Sequence, residues 1–502
     1  MIKTDLKKNI ENLIIYAYER KLITLSDCTW AANQISDLFS FIPETEWDFS
    51  NGNTQVSFPE VLHSLRDEAL KNHIITDTAW QKDQFENRLM NILTPKPSEV
   101  IHHFQKSYEL DPQSSTTYFY QLQKDCYYIK TDCIEKNLQW KYRNQYGDLD
   151  ITINLSKPEI SEEEIIAQKN ARSSSYPSDL LCHDNEGYVG SITHPSRMTL
   201  RQIPLFLNHE KWYMQYSPYA YFNEHCIVLT EKIRPMKIDE NTFIALLDFL
   251  DQFPHYFIGS NSDLPICGGS ILSHEHFQGG KYTFAMMKAP VEKTVRLKSY
   301  PSIKAGILKW PLSVLKLETD DREMLIDACN AVLKAWQSYD NENLMLFSHK
   351  ENQLLSTITP VACLENNRYV MYFVFRNSLT TDEFPLGYFH AHPEYHHIKK
   401  ENIGLIEVMG LAILPPRLLK EMEAVKQAVL SHSDLSSNPL TLSHVKWVNE
   451  WLPDYPGINE DNIDSILKEE IGKVFVKVLE NCAVFPHTET EQEAFIRFLK
   501  NI

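Results

Sequence analysis

Glycine is scarce in this chain except in one short segment. Only 15 of the 502 residues are glycine, about 3%, whereas about 7% is typical of proteins. Yet four of them, Gly268, Gly269, Gly279 and Gly280, fall within thirteen residues. Glycine is used where the backbone needs a positive φ or where another group must approach it closely. The segment 268–280 is therefore the first place where the sequence predicts a binding site.

Length, charge and cysteine content limit the class of protein. A chain of 502 residues exceeds one core of the usual size, so we expect two or more domains. Its 67 acidic residues outnumber 49 Lys and Arg, and a net charge of −18 without a local basic patch argues against nucleic acid or anionic membranes as partners. No apolar run approaches the ~18 residues that span a bilayer, and no signal peptide is recognisable. The nine scattered cysteines form no Cys-x-x-Cys pair, which favours a reduced, cytoplasmic protein.

Apolar periodicity predicts helices at both ends of the chain and strands in between. Leu6, Ile10 and Leu13 follow the helical repeat, and the first ~155 residues are expected to be mostly helical. Ser98 is the expected N-cap of a helix that runs through Phe104. The sequence as a whole favours an α+β architecture. Strands are predicted at 211–216, 226–229, 256–258 and 369–375, and helices at 243–250, 325–336 and 418–429.

The segment Ser273–Gln278, which reads Ser-His-Glu-His-Phe-Gln, carries the chemistry. On a strand, the side chains of His274, His276 and Gln278 would project to one face. A neutral imidazole, with an ordinary pKa of about 6.5, is an available nucleophile at neutral pH. The backbone N–H groups of 268–270 and the Ser270 hydroxyl suit phosphoryl oxygens. The segment therefore predicts a phosphate site with a histidine nucleophile.

Gln278 favours group transfer over hydrolysis. A phosphate-monoester acceptor arrives already ionised, so its attack needs no strong general base. Hydrolysis by water would benefit from a third histidine at this position, whereas an amide can hold a phosphoryl oxygen without delivering protons. The alternative is that the His-x-His is a metal site or a polar surface pair. Periodicity alone does not distinguish these from a nucleophile.

A second His-x-His, at His390 and His392, follows a similar order of helix and strand. This repetition suggests a duplicated unit. The alternative is a relic strand that contributes to packing or to the pocket of the other half.

Three segments, Gly268–Gly280, Tyr216–Cys226 and Asn402–Gly410, resemble the Gram-positive-type class of galactose-1-phosphate uridylyltransferases, in the histidine-triad superfamily. The resemblance is strong over residues 175–430. It implies two histidine-triad-like halves, each an antiparallel sheet with packed helices, and an N-terminal helical extension. The implied division is 1–170 for the extension, 171–295 for the first half, 296–432 for the second half and 433–502 for a helical tail.

The resemblance also implies a reaction and residue roles. UDP-glucose and galactose 1-phosphate would exchange UMP by a ping-pong mechanism, in which His276 carries the uridylyl group. Gln278 would contact the transferred phosphoryl group, while Asn261 and the loop Gly268–Ser270 would hold the nucleotide phosphates. His274 would orient the strand or bind a structural metal. The implied partners are the two small-molecule substrates and a second copy of the chain in a homodimer.

Metal ligands of the better-known class are incomplete here. Asp179 replaces the first cysteine of its zinc site, so Asp179, Cys182 and His274 leave a doubtful tetrahedral set for a structural zinc. Its second site would match Glu292 and the His-x-His at 390–392, but a further histidine has no counterpart. We therefore expect no metal to be required for catalysis.

Two other functions remain open from the sequence. A dinucleoside-polyphosphate phosphorylase can share the His-x-His-x-Gln pattern, and it would use inorganic phosphate in place of a sugar 1-phosphate. A nonenzymatic protein that binds a metal or a nucleotide would use the same histidines without forming a covalent uridylyl adduct.

Overall fold

The computed structural model describes residues 2–50, 57–155, 175–269 and 271–502. Ser270, a predicted phosphate-binding residue, lies outside these ranges. The chain divides into two compact units, and each is described by itself. The first comprises residues 1–136, 156–206 and 211–233, and the second comprises 137–155, 207–210 and 234–502. The four-part division expected from the resemblance remains a prediction.

The helices and strands are numbered in chain order. The helices are α1 (Ile2–Glu19), α2 (Cys28–Leu38), α3 (Phe58–Lys71), α4 (Ala79–Leu93), α5 (Pro97–Leu110), α6 (Pro112–Asp125), α7 (Thr131–Ile134), α8 (Glu240–Gln252), α9 (Ala285–Lys288), α10 (Arg322–Trp336), α11 (Leu405–Val408), α12 (Arg417–Leu430), α13 (Val445–Trp451), α14 (Ile463–Asn481) and α15 (Glu489–Lys500). The strands are β1 (Leu138–Asn144), β2 (Gly147–Ile153), β3 (Ile203–Leu207), β4 (Glu210–Tyr216), β5 (Cys226–Thr230), β6 (Phe257–Gly259), β7 (His276–Gly280), β8 (Val291–Val295), β9 (Lys304–Leu308), β10 (Val314–Thr319), β11 (His349–Lys350), β12 (Gln353–Leu354), β13 (Ser356–Glu365), β14 (Arg368–Asn377) and β15 (Leu411–Leu414).

The first unit begins with the predicted helices. Helix α1 packs against α2 and α3, and α5 packs against α6. The apolar stripe of α1 is buried because Ile10, Leu13 and Ala17 recur on one face. The expected N-cap at Ser98 is wrong: α5 begins at Pro97 and Lys96 is its N-cap. Proline suits the first turn of a helix, because its fixed φ is helical and its missing N–H has no intrahelical acceptor there.

The strands of the first unit follow the predicted pattern. Strands β4 and β5 pair antiparallel, with Trp212 opposite Thr230 and Tyr216 opposite Cys226. The hydroxyl of Tyr216 donates to the carbonyl of Thr116 at 3.0 Å, which ties β4 to α6. The predicted strands at 211–216 and 226–229 are therefore confirmed.

The second unit is built on antiparallel strands in the order β7-β6-β13-β14-β10-β9-β8. Most residues of the long central pair β13–β14 are buried, because α8 and α10 pack against this part of the unit. The indole N–H of Trp336, at the end of α10, donates to the carbonyl of Thr357 at 2.8 Å. The predicted strands at 256–258 and 369–375 and the predicted helices at 243–250 and 325–336 are confirmed.

A smaller sheet of the second unit was not expected. Strands β1 and β2 form an antiparallel hairpin, and β15 pairs with β2 in parallel. The hairpin lies within the first ~155 residues, where helices were predicted. Its signal is the alternation of apolar and polar residues over 138–143 followed by Gly147, which has a φ of +125°.

The α+β class is confirmed by these helices and antiparallel sheets, and the C-terminal tail is helical as predicted, with α13, α14 and α15. All nine cysteines are described, and each is a free thiol. Among the helices that the structure describes, none is long and apolar enough to cross a membrane.

Candidate active site

Asn261 joins two glycine segments that are far apart in the sequence. The side chain is 4% exposed, and its Oδ1 accepts a hydrogen bond from the backbone N–H of Leu405 at 2.9 Å. A Cβ at Gly269 would lie 2.7 Å from Asn261 Nδ2, and a Cβ at Gly404 would lie 3.0 Å from its Oδ1. The amide therefore fits between the two segments only because both positions lack a side chain.

Gly268 must also lack a side chain, because Ser262, the residue after Asn261, lies close to it. A Cβ at Gly268 would lie 2.9 Å from the carbonyl oxygen of Ser262. The Ser262 hydroxyl forms a hydrogen bond of 2.8 Å with the hydroxyl of Thr359 on β13, which fixes this segment to the sheet. Gly269 thus lies against the Asn261 side chain and Gly268 against the Ser262 backbone, and in both places a Cβ would come too close.

His276 opens β7 and is held in one tautomer. Its Nδ1 lies 2.7 Å from the carbonyl oxygen of His274. A carbonyl only accepts hydrogen bonds, so Nδ1 carries the proton and the lone pair of the neutral ring belongs to Nε2. The side chain is 6% exposed. This arrangement leaves the lone pair of the neutral ring on one defined nitrogen, Nε2.

Gln278 lies two residues further along β7, on the same side of the strand as His276. It pairs with Gly259 of β6. Strand β7, which carries His276 and Gln278, therefore pairs with β6, which ends two residues before Asn261.

His274 does not share the strand face that the sequence predicted. Strand β7 begins at His276, so only positions 276 and 278 alternate on it. The His274 side chain is fully buried. Its backbone carbonyl accepts the hydrogen bond from His276, a contact that residue type alone does not reveal.

An ion pair holds the segment that precedes His276. The carboxylate of Glu275 accepts from Arg234 Nε at 2.5 Å, and Arg234 also pairs with Glu210 at 2.6 Å. The backbone N–H of Glu275 donates to the Arg234 carbonyl at 2.7 Å. Burial raises the pKa of Glu275, and Arg234 opposes that rise. Sequence patterns do not indicate a role for Arg234, because its two partners lie 24 and 41 residues away.

The expected second set of metal ligands does not assemble. Among the residues that the structure describes, no three His, Cys, Asp or Glu side chains are placed to hold a metal ion together. His392 Nε2 donates to the carbonyl of Tyr388 at 3.1 Å, and its ring stacks on Phe384. Residues 389–392 lie outside the strands, so the interpretation of the second His-x-His as a relic strand is wrong. The segment is instead fixed by a bond from Tyr388 N–H to the Leu379 carbonyl.

Asp179 and Cys182, the remnants of the zinc motif, belong to one turn of the first unit. Asp179 Oδ1 accepts from the backbone N–H groups of Leu181 and Cys182 at 2.7 and 2.8 Å. The Cys182 thiol donates to the Asp179 carbonyl at 3.3 Å, and burial raises the pKa of that thiol. Zinc binds thiolate, whereas here the thiol proton is used within the turn. These two residues therefore fit a turn better than a metal site.

Two arginines, one in each unit, are buried. Arg201 donates to the carbonyls of Pro95, Met198 and Leu200, so its role is structural. Arg376 lies at the end of β14 and is 1% exposed.

Comparisons with known proteins show which family this chain is similar to. Residues 42–235 match the family profile described as galactose-1-phosphate uridyl transferase, N-terminal domain, and residues 249–449 match the corresponding C-terminal domain. The galactose-1-phosphate uridylyltransferase of Clostridium acetobutylicum is 45% identical over 98% of both chains. That of Fusobacterium nucleatum is 43% identical over 98% of both, and that of Bacillus subtilis is 42% identical over 99% of this chain and 97% of its own.

Among solved structures, yeast Ap4A phosphorylase Apa2 in complex with AMP aligns with 66% of this chain and 94% of its own, at 10% identity and a TM-score of 0.36. Each of the three uridylyltransferases aligns with this chain over nearly its full length, at more than 40% identity. The chain therefore belongs to the galactose-1-phosphate uridylyltransferase family.

Proposed function

We propose that this protein transfers UMP from UDP-glucose to galactose 1-phosphate, which gives UDP-galactose and glucose 1-phosphate. The names of relatives that match along almost the whole chain support the two substrates. The observation that carries the proposal is the hydrogen bond between His276 Nδ1 and the His274 carbonyl, because it assigns the nucleophilic lone pair to Nε2.

The reaction consists of two displacements at one phosphorus atom. In the first, Nε2 of His276 attacks the α-phosphorus of UDP-glucose, the bond to the bridging oxygen breaks, and glucose 1-phosphate leaves with the electron pair. In the second, a phosphate oxygen of galactose 1-phosphate attacks the same phosphorus and Nε2 departs. The proton on Nδ1 stays in place throughout. No proton is transferred in either step, because leaving group and acceptor are both phosphate anions.

The carbonyl of His274 assists the first step electrostatically. When Nε2 bonds to phosphorus, the ring becomes positively charged and its Nδ1–H becomes a stronger donor. A carbonyl oxygen 2.7 Å away stabilises this charged form more than the neutral ring. Gln278 donates its amide N–H to a phosphoryl oxygen, and the loop 268–269 with Asn261 positions the other phosphate oxygens.

The mass of the intact protein after mixing with UDP-glucose tests this mechanism. We expect a gain of one uridylyl group that galactose 1-phosphate removes. His276→Gly removes the nucleophile and abolishes the adduct. His432→Asn is a matched control, since His432 is exposed and its φ of +52° suits asparagine. Undiminished turnover by His276→Gly would contradict the role of His276.

The same experiment separates the rival functions. A dinucleoside-polyphosphate phosphorylase would discharge its adduct with inorganic phosphate, whereas a protein that only binds nucleotides forms no adduct. The transfer proposal requires discharge by galactose 1-phosphate and formation of UDP-galactose. A stable adduct that only inorganic phosphate removes would overturn it.

We also propose that catalysis needs no metal, since the nucleophile and phosphate contacts above come from His276, Gln278, Asn261 and the glycine loop. Dialysis against a chelator should leave the transfer rate unchanged, with the metal content of the protein measured by elemental mass spectrometry. A loss of rate that added zinc restores would contradict this prediction.

A homodimer in the cytoplasm is the proposed state of the protein. It follows from the family resemblance, and the nine free thiols suit a reducing compartment. Sedimentation equilibrium at twice the chain mass would support the dimer, and sedimentation at the chain mass would reject it.

A further inference from the structure

The guanidinium of Arg376 is buried with one edge unpaired. The residue is 1% exposed, and its Nη1 donates to the carbonyl of Ile403 at 2.9 Å. Within the described part of the chain, its Nε and Nη2 have no hydrogen-bond partner, and the residue takes part in no ion pair. A buried charge without a partner is costly, and proteins keep such a charge where something else compensates it.

The unpaired edge has the geometry that recognises an oxyanion. Nε–H and Nη2–H point in the same direction, and together they bind two oxygens of one phosphate or carboxylate. The same two donors of another arginine bind a carboxylate at the surface of this protein. Nε and Nη2 of Arg143 donate to the carboxylate of Asp148 at 2.8 and 3.2 Å. At Arg376 the same two donors lack their oxygens.

His390 lies close to this guanidinium and is also unpaired. Its side chain is 1% exposed, and within the described ranges neither ring nitrogen has a hydrogen-bond partner. The charge of Arg376 reaches this ring, and an imidazole offers at least one N–H donor whether it is neutral or protonated. The other buried cation of this region, Lys399, is neutralised by its ion pair with Glu407.

Both residues lie beside the segment that leads into the glycine loop. A Cβ at Gly387 would lie 2.6 Å from Ile266 Cγ2 and 2.9 Å from His390 Cβ, so His390 and Ile266 pack on the same glycine. The charge of Arg376 also reaches the Cys267 thiol and lowers its pKa, against the larger rise that burial causes. Cys267 immediately precedes Gly268. The two unpaired side chains are thus within the same unit as the proposed phosphate site and next to it.

The cluster suits an anion and not a cation. The fixed charge of Arg376 would repel a metal ion, while the forked donors attract two oxygens of a tetrahedral phosphate. We infer that Arg376 and His390 form a phosphate subsite that holds the phosphate group of the sugar 1-phosphate acceptor. This inference rests on the proposed function, and free inorganic phosphate shares the same chemistry.

Titration calorimetry on the full-length protein tests the subsite, with galactose 1-phosphate, inorganic phosphate and galactose as ligands. Arg376→Lys keeps the charge and removes the fork, and Arg376→Gln removes both. We expect about tenfold weaker binding of galactose 1-phosphate for Arg376→Lys and a larger loss for Arg376→Gln. Arg143→Lys, at an exposed fork, is the matched control and should bind as the wild type does.

The binding measurements distinguish three occupants of the subsite: galactose 1-phosphate, free inorganic phosphate and water alone. Weakened binding of galactose 1-phosphate in folded Arg376 variants supports the subsite. Unchanged binding in those variants overturns it, and so does wild-type binding of inorganic phosphate without any binding of galactose 1-phosphate. Should the Arg376 variants fail to fold, His390→Gln decides alone: weaker binding of galactose 1-phosphate supports the subsite and unchanged binding overturns it.

Failure of the subsite differs from failure of the proposed function. Adduct formation from UDP-glucose does not involve the acceptor, so Arg376→Lys should form the uridylyl adduct and discharge it more slowly. Discharge at the wild-type rate in this variant overturns the subsite and leaves the transfer mechanism standing. Absence of the adduct in the wild type, with galactose 1-phosphate still bound through Arg376, overturns the mechanism alone.

Discussion

Asn261 makes the glycine at position 269 indispensable. Its amide occupies the space that a side chain there would need, since a Cβ would lie 2.7 Å from Nδ2 and 3.0 Å from Cγ. The opposite side of the amide is fixed by the bond from the Leu405 N–H. A larger residue at 269 therefore has to displace a buried, hydrogen-bonded group, and with it the phosphate loop.

Gly269→Ala should reduce uridylyl transfer by about tenfold or more, because displacements near 1 Å at a reacting centre are costly. The rate of adduct formation from UDP-glucose measures the effect. Gly457→Ala is the control, because nothing lies within 4 Å of a Cβ at that position. Equal rates for the two variants would show that the loop tolerates a methyl group and that the close approach has no functional role.

At the scale of elements, helix α14 approaches strand β1 closely at Gly472. A Cβ at Gly472 would lie 2.3 Å from Cγ of Tyr142. Alanine normally stabilises a helix interior by about 1 kcal/mol relative to glycine. Here the helix must move away from the hairpin, so packing opposes that gain.

We expect Gly472→Ala to lower the free energy of unfolding by about 1–3 kcal/mol, the usual cost of inserting a methyl group into a well-packed contact. Urea denaturation followed by circular dichroism measures the change. Adding Tyr142→Ala in the same chain should recover part of the loss. A stabilised Gly472→Ala protein would mean that helix propensity outweighs this contact.

The elements that the sequence predicted are those whose local pattern agrees with their packing. Helix α10 follows from the spacing of Leu325, Ala328 and Val332, all of which are fully buried. The second His-x-His resembled the first in spacing, yet it forms no strand, and the His392 N–H donates instead to the side chain of Asn481, 89 residues away. Local pattern carries no information about such partners.

The candidate site was predictable in part. The nucleophilic segment and the glycine loop follow from residue types, since both are short and local. The contact between Asn261 and Leu405 joins residues 144 apart. Arg234 and the unpaired edge of Arg376 depend equally on tertiary placement, which one sequence read alone does not provide.

At the scale of the whole molecule, neutral histidines that are only partly exposed make stability depend on pH. Burial, and then His444, lowers the pKa of His397 to about 4. The unfolded chain takes up this proton near pH 6.5, whereas the folded chain takes it up only near pH 4. The contribution of His397 is therefore fully present above about pH 6.5 and is lost as the pH falls to 4.

The wild type loses free energy of unfolding between pH 6.5 and 4, and His397→Gln should reduce that loss by roughly 2–3 kcal/mol. The reason is that a shift of one pKa unit corresponds to about 1.4 kcal/mol. Urea denaturation at pH 7.5 and pH 5 compares the variant with the wild type. His432→Asn, at an exposed histidine, should keep the wild-type slope. The same slope in His397→Gln would assign the acid sensitivity to other groups.

The bond between the ring of His276 and the carbonyl two residues before it has a consequence for how such enzymes diversify. The proton that selects the reactive nitrogen is held by a neighbouring peptide group and not by a carboxylate from a remote strand. Sheets, helices and sugar-contacting surfaces are then free to be remodelled by evolution or by engineering without resetting the bond-forming atom. On the proposed mechanism, a change of acceptor preference therefore requires no change at the atom that bonds to phosphorus.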